Sequence, residues 1–127
     1  MIHLDTSVLI DALTGPKRLA PALRRAIEAG ERILFSTIVL YEWARGPRLP
    51  AELEAQEALF PRAAAAPFGV VEAAIAAELY RVVKGRGREI DLAIAATAIA
   101  QNAQLWTLNV QDFRDIPPLT IYHLSAQ

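Results

Sequence analysis

The chain contains no cysteine, and aromatic residues make up only 7% of its 127 residues. The lack of cysteine excludes disulfide bonds and zinc sites built on thiolates, and it suits a reducing compartment such as the cytoplasm. The longest smooth apolar stretch, residues 92–100, is far shorter than the roughly 20 residues that a membrane-spanning helix needs. No secretion signal is recognisable at the N-terminus. We therefore expect a soluble, cytoplasmic protein.

Charge of neither sign predominates, because the formal net charge at pH 7 is −1. This balance does not by itself indicate a polyanionic partner. Hydrophobic residues, in contrast, reach 54%, and the length is that of one ordinary domain. We expect a single domain over residues 1–127 with a substantial buried core.

Short apolar segments alternate with longer helical patterns along the chain. The expected strands cover residues 2–4, 33–35, 64–68, 105–108 and 119–123, of which residues 64–68 give the poorest pattern because they are mostly alanine. The expected helices cover residues 6–13, 18–29, 37–45, 50–60, 70–83 and 89–103, with a helical turn at residues 111–114. This alternation predicts an α/β fold, in which a central parallel sheet lies between two layers of helices.

Three acidic residues stand beside the ends of these expected elements. Asp5 follows the first strand, Asp112 follows the strand at residues 105–108, and Asp91 lies in the first turn of the helix at residues 89–103. Because ligands bind at the carboxyl ends of parallel strands, we expect all three acids at one edge of the sheet. Each also has a structural alternative: an N-cap for Asp5, a helix-dipole interaction for Asp91, and a turn for Asp112.

Glu42 lies among apolar neighbours in the helix at residues 37–45. An ionised carboxylate facing a core needs a partner, and Arg45, three positions later, is the structural alternative. Glu42 is also six residues past Ser36, about 9 Å along a helix axis. The helix must therefore cross the sheet edge obliquely if Glu42 is to reach the other acids.

Carboxylates that gather in one pocket repel each other unless a cation neutralises them. Oxygen ligands without cysteine or clustered histidine favour Mg²⁺ or Mn²⁺ over zinc. We expect His3 and His123 to be ordinary residues of strands. The pattern predicts a site for Mg²⁺ (or Mn²⁺) formed by Asp5, Glu42, Asp91 and Asp112.

The motifs that carry these acids resemble the PIN domain family, and more narrowly the VapC-type toxins of bacterial and archaeal toxin–antitoxin pairs. They are residues 4–10 (LDTSVLI), Glu42 ahead of Gly46, residues 91–98 (DLAIAATA), residues 105–109 (LWTLN) and residues 112–113 (DF). The similarity spans residues 2–119. Two departures are Ser7, where asparagine is commoner, and Trp43, where leucine usually follows the glutamate.

The resemblance implies a Rossmann-like three-layer fold and an endoribonuclease that uses Mg²⁺ or Mn²⁺. It implies that the four acids are both catalytic and metal-binding. The expected supporting polar residues are Thr6, Ser7, Thr107 and Asn109, and the expected RNA-backbone contacts are Lys84, Arg86 and Arg88, for which a solvated loop is the alternative. The implied partners are an RNA substrate, a VapB-type antitoxin and a second copy of the chain.

Other functions remain open at this point. A phosphatase or a receiver domain would also have an aspartate after the first strand, but the phosphatase needs a second aspartate where Ser7 stands, and the receiver needs a lysine late in the chain. A PIN-like module without catalysis, and a PIN-like nuclease for structured DNA, are the remaining alternatives.

Overall fold

The computed structural model describes residues 1–124. Its sheet contains three parallel strands, β1 (Ile2–Leu4), β2 (Ile33–Leu34) and β3 (Gln104–Trp106), in the order β2-β1-β3. His3 at the centre of β1 is aligned with Leu34 on one side and with Leu105 on the other. Parallel neighbours cannot be joined by tight turns, so each connection crosses over through helices.

Six α-helices are present in the described part of the chain. They are α1 (Thr6–Leu13), α2 (Ala20–Glu28), α3 (Thr37–Arg45), α4 (Pro50–Leu59), α5 (Val70–Val82) and α6 (Glu89–Ala100), with short 3-10 helices at Arg62–Ala64 and Val110–Asp112. Within residues 1–124, none of these helices combines the length and the apolar character required to cross a bilayer.

The core lies on both faces of the sheet. Successive side chains of a strand point to opposite faces, and all three residues of β1 are buried, so both faces are covered. Helix α6 is buried continuously over residues 92–98, as expected for a helix that is apolar on all sides. The predicted α/β fold, with a central parallel sheet between helical layers, is confirmed.

Two of the expected strands are wrong as full strands. In the segment at residues 64–68 only Ala66 pairs, through an isolated parallel bridge to Ser36. The neighbouring chain cannot continue the ladder, because Ser36 caps α3 and Thr37 begins that helix. The N–H of Phe68 donates to the hydroxyl of Thr37 instead. In the segment at residues 119–123 only Ile121 forms a bridge, to Leu105.

Several element boundaries also differ from those expected. Helix α6 ends at Ala100 rather than at residue 103, because Asn102 adopts a left-handed conformation with φ of 54°. Helix α2 begins at Ala20 rather than at residue 18, after Lys17, which also has positive φ. Strand β3 ends at Trp106, so the segment that follows it is irregular and is free to carry polar side chains toward the sheet edge.

Candidate active site

Asp5 occupies the position directly after β1 and its side chain is almost fully buried, with the residue only 4% exposed. It stands at the N-cap of α1, but its carboxylate does not cap the helix. Instead, Oδ2 accepts hydrogen bonds from Ser7 Oγ at 2.8 Å and from Thr107 Oγ1 at 2.7 Å. Asp5 is therefore the N-cap residue of α1 by its position, as the structural alternative proposed, but its carboxylate accepts no hydrogen bond from the helix.

The two hydroxyl groups are themselves oriented by the main chain. Ser7 Oγ accepts from the N–H of Leu108 at 3.0 Å, and Thr107 Oγ1 accepts from the N–H of Asn109 at 2.9 Å. A hydroxyl has one proton to donate, and each of these lies against Asp5 while a backbone amide fills an acceptor position. The loop after β3 thus fixes the orientation of the buried carboxylate.

One carboxylate oxygen of Asp5 is left over by this arrangement. Within residues 1–124, Oδ1 has no hydrogen-bond partner, and this oxygen remains accessible to solvent. Because Asp5 accepts only neutral hydroxyls, no cationic side chain neutralises it directly. The free oxygen is a suitable ligand for a hard metal ion.

Glu42 is linked to the same site through Thr6, the neighbour of Asp5. Thr6 Oγ1 donates to Glu42 Oε1 at 2.5 Å, and Arg45 Nη2 lies 3.5 Å from Glu42 Oε2. Glu42 therefore does form the ion pair with Arg45 that the structural alternative predicted, although the side chain of Arg45 is half exposed. Helix α3 does cross toward α1, and it brings a carboxylate 36 residues away in sequence next to the end of β1.

Asp91, in the first turn of α6, is partly buried and has a strongly perturbed pKa. Its pKa is raised to about 6, first by burial and then by the negative charges of Asp5, Asp112 and Glu42, while Arg88 acts in the opposite direction. The other three acids predicted from the sequence thus act electrostatically on Asp91.

Asp112, in the 3-10 helix at Val110–Asp112, has an exposed side chain. Its main-chain carbonyl accepts from Arg88 Nη2 at 2.8 Å, and Arg88 also pairs with Asp115. Asp115 was not predicted from the sequence, because no local signal indicates a partner 27 positions from Arg88. Lys84 and Arg86 are exposed and form no ion pair within residues 1–124.

Among residues 1–124, no three acidic or histidine side chains lie close enough together to form a ready-made metal site. The donor set nevertheless fits Mg²⁺ or Mn²⁺ chemically, since it is made only of oxygen atoms and carries more negative charge than Arg45 and Arg88 offset. Binding would require the carboxylates to move closer together.

His3 is buried in the centre of β1, and its Nε2 atom has no hydrogen-bond partner within the described residues. Burial lowers the pKa of this histidine to about 4, so the ring is neutral near neutral pH. It is a core residue of a strand, as expected. His123 is exposed beside the isolated bridge at Ile121, outside any regular strand.

Comparison with known proteins identifies the family. The model of the PIN domain matches residues 2–117, nearly the whole chain. This chain therefore belongs to the PIN domain family, as its motifs predicted.

The chain is also similar to individual proteins of known sequence or structure. The chain is 35% identical, over 119 residues, to Ribonuclease VapC19 of Mycobacterium tuberculosis, covering 91% of this chain and 94% of that protein. Among solved structures, it resembles VapBC2 from Rickettsia felis bound to a promoter DNA fragment, with a TM-score of 0.74, 25% identity and coverage of 96% and 98%. It also resembles a toxin–antitoxin complex from Klebsiella pneumoniae, with a TM-score of 0.72, 25% identity and coverage of 94% and 96%.

Proposed function

We propose that this protein is a divalent-metal-dependent endoribonuclease and the toxin of a type II toxin–antitoxin pair. The observation that carries the proposal is the buried Asp5 carboxylate, which two oriented hydroxyls hold. Asp91 adds to it, because burial and the charges of the other three acids raise its pKa. Membership of the PIN domain family and similarity to a protein named as a ribonuclease support it.

The residues proposed to hold Mg²⁺ or Mn²⁺ are the four acids. Asp5 and Asp91 are the proposed direct ligands, while Glu42 and Asp112 complete the shell directly or through water. When bound, such an ion activates water and stabilises the charge that develops on a phosphodiester. Ser7 and Thr107 hold Oδ2 of Asp5 and leave Oδ1 without a partner among residues 1–124, and Thr6 holds Glu42 in position.

Substrate binding is proposed to involve the loop between α5 and α6. Lys84 and Arg86 are exposed there and precede Asp91 by only a few residues, so they are suited to contact the RNA backbone. Asn109 is exposed after β3, and its side-chain amide forms no hydrogen bond within residues 1–124, so it is available as a supporting polar residue.

The proposed partners are a VapB-type antitoxin and a second copy of the chain. The similarity to solved toxin–antitoxin complexes supports the first. Co-expression with the product of the adjacent gene, followed by co-purification and measurement of the mass of the complex in solution, tests both. A protein that stays alone and monomeric under these conditions contradicts both assignments.

The nuclease is tested by incubating the purified protein with total RNA in Mg²⁺, in Mn²⁺ and in excess chelator. We expect cleavage only with metal, and none in Asp5→Asn. The amide oxygen of asparagine can still accept from both hydroxyls, so the fold should be retained, but the ligand charge is lost.

The matched control is Glu54→Gln, which removes one exposed carboxylate from α4 and should leave cleavage unchanged. Full activity of Asp5→Asn would contradict the assignment of the site. Parallel reactions on structured DNA test the alternative substrate, and preferential cleavage of DNA would replace RNA in the proposal.

A further inference from the structure

Arg88 stands immediately before α6, and its guanidinium makes three hydrogen bonds to one distant segment. Nη1 and Nη2 donate to the two carboxylate oxygens of Asp115, at 3.0 and 2.7 Å, and Nη2 also donates to the main-chain carbonyl of Asp112 at 2.8 Å. The side chain of Arg88 is only 23% exposed, although its partner Asp115 is more than half exposed. The contact therefore joins the start of α6 to the segment that follows β3.

The contact between Arg88 and Asp115 fixes the relative orientation of the two groups as well as their distance. Two parallel N–H···O bonds between guanidinium and carboxylate fix the relative orientation of the groups, which a single ammonium group cannot do. The third bond holds the main chain at Asp112 itself. The side chain of Asp112 forms no hydrogen bond within residues 1–124, so its place relative to Asp91 depends on how this backbone is held.

The same contact leaves Arg88 poorly suited to bind phosphate. Asp115 satisfies both ends of the guanidinium fork and neutralises its charge, and the pKa of Asp115 is lowered mainly by this hydrogen bond. Lys84 and Arg86, by comparison, are exposed and unpaired within the described residues. The three cations of the loop thus divide into two groups.

We infer that Arg88 and Asp115 form a clamp that positions Asp112 beside Asp91, and that Arg88 does not contact RNA. This inference rests on the proposed function, and it replaces the backbone-binding role that the sequence suggested for Arg88. Both residues are positioning residues, because neither would touch the reacting phosphate.

Two variants, Arg88→Gln and Asp115→Ala, break the clamp from its two sides. We expect each to lower metal-dependent RNA cleavage about tenfold to a hundredfold, the range typical when support for a metal site is removed. The double variant should lose no more than either single one, because the two residues act as one unit. In the metal-free protein, both variants should speed amide hydrogen exchange across residues 109–116.

The matched control is Arg114→Gln, which removes a cation from the same segment. Its side chain is exposed and makes no hydrogen bond within residues 1–124, so neither cleavage nor exchange should change.

An RNA-binding role for Arg88 gives the opposite pattern. Asp115→Ala would then free the guanidinium of Arg88 and leave RNA cleavage unchanged or faster. Arg88→Gln would raise the KM for RNA without altering amide exchange. Either result overturns the clamp. Exchange is measured without metal or RNA, so it tests the clamp independently of activity. If both variants exchange faster but the wild-type protein fails to cleave RNA, the clamp is supported and the proposed function is contradicted. Unchanged exchange in both variants overturns the clamp whatever the activity.

Discussion

Replacing Asp91 with asparagine should stabilise the metal-free protein, although Asp91 is proposed to be a metal ligand. The pKa of Asp91 is raised from 3.8 to about 6 by burial and by the three neighbouring acids. A raised carboxyl pKa means that the folded state binds the proton more tightly than the unfolded state. Above pH 6 the folded protein therefore carries a destabilising charge, and this cost disappears as the pH falls toward the unfolded pKa.

The expected gain in stability can be worked out from the raised pKa of Asp91. A change of roughly two pKa units corresponds to about 3 kcal/mol when fully expressed, since one unit is about 1.4 kcal/mol. Asp91 is only partly buried, so screening by water reduces this by about half. Loss of the favourable interaction with the N-terminus of α6 removes a further 0.3–1 kcal/mol or so. We expect Asp91→Asn to gain about 1 kcal/mol at about pH 8, and less at about pH 5.

Urea denaturation of chelator-treated protein measures this gain. With a slope of about 1–3 kcal/mol per molar urea, the midpoint should rise by about half a molar unit at pH 8. The control is Glu89→Gln, an exposed acid in the same helical turn, which should give no gain at either pH. Saturating Mn²⁺ should reverse the order, because it stabilises only the form that binds it. A variant less stable than wild type at pH 8 without metal would refute the electrostatic reasoning.

The hydroxyl that orients Asp5 and the packing of α6 give two further predictions. Thr107→Val should destabilise the protein by about 1–3 kcal/mol, because the buried carboxylate of Asp5 loses a hydrogen-bond donor, and it should also lower RNA cleavage. Urea denaturation measures the stability and the RNA assay measures the cleavage. An unchanged urea midpoint would contradict the predicted loss of stability. Leu92→Ala should cost about 2–5 kcal/mol by opening a cavity in the core. The matched change Val70→Ala, at a residue 88% exposed, should stay within about 0.5 kcal/mol in the same denaturation experiment, and an equal loss in both variants would contradict the burial argument.

The fold could be predicted from the sequence wherever a local pattern matched a buried element. The strand at residues 2–4 and the helix at residues 6–13 were predicted with the boundaries that β1 and α1 have. The pattern failed at residues 64–68, where alanines offer little cross-strand packing and the neighbouring chain enters α3 directly after Ser36. Secondary structure was thus predictable where side-chain packing and backbone hydrogen bonding agree.

The site was predictable only in part, since its details depend on contacts between distant residues. The positions of Asp5 and Asp91 follow from the rule that the carboxyl edge of a parallel sheet gathers ligands. The bond between Thr6 and Glu42, and the pairing of Arg88 with Asp115, join residues 36 and 27 positions apart. Residue types alone could not show these pairings, because several acids were equally available to each partner.

The proposed function requires that the carboxylates of Asp5 and Asp91 bind a divalent cation between them. Diffraction from crystals grown with Mn²⁺, collected at an energy where manganese scatters anomalously, tests it most directly. We predict an anomalous peak between these two carboxylates that is missing from crystals of Asp5→Asn. A map of the wild-type protein with no peak there, or with manganese bound only elsewhere, would show that these two carboxylates do not form the metal site.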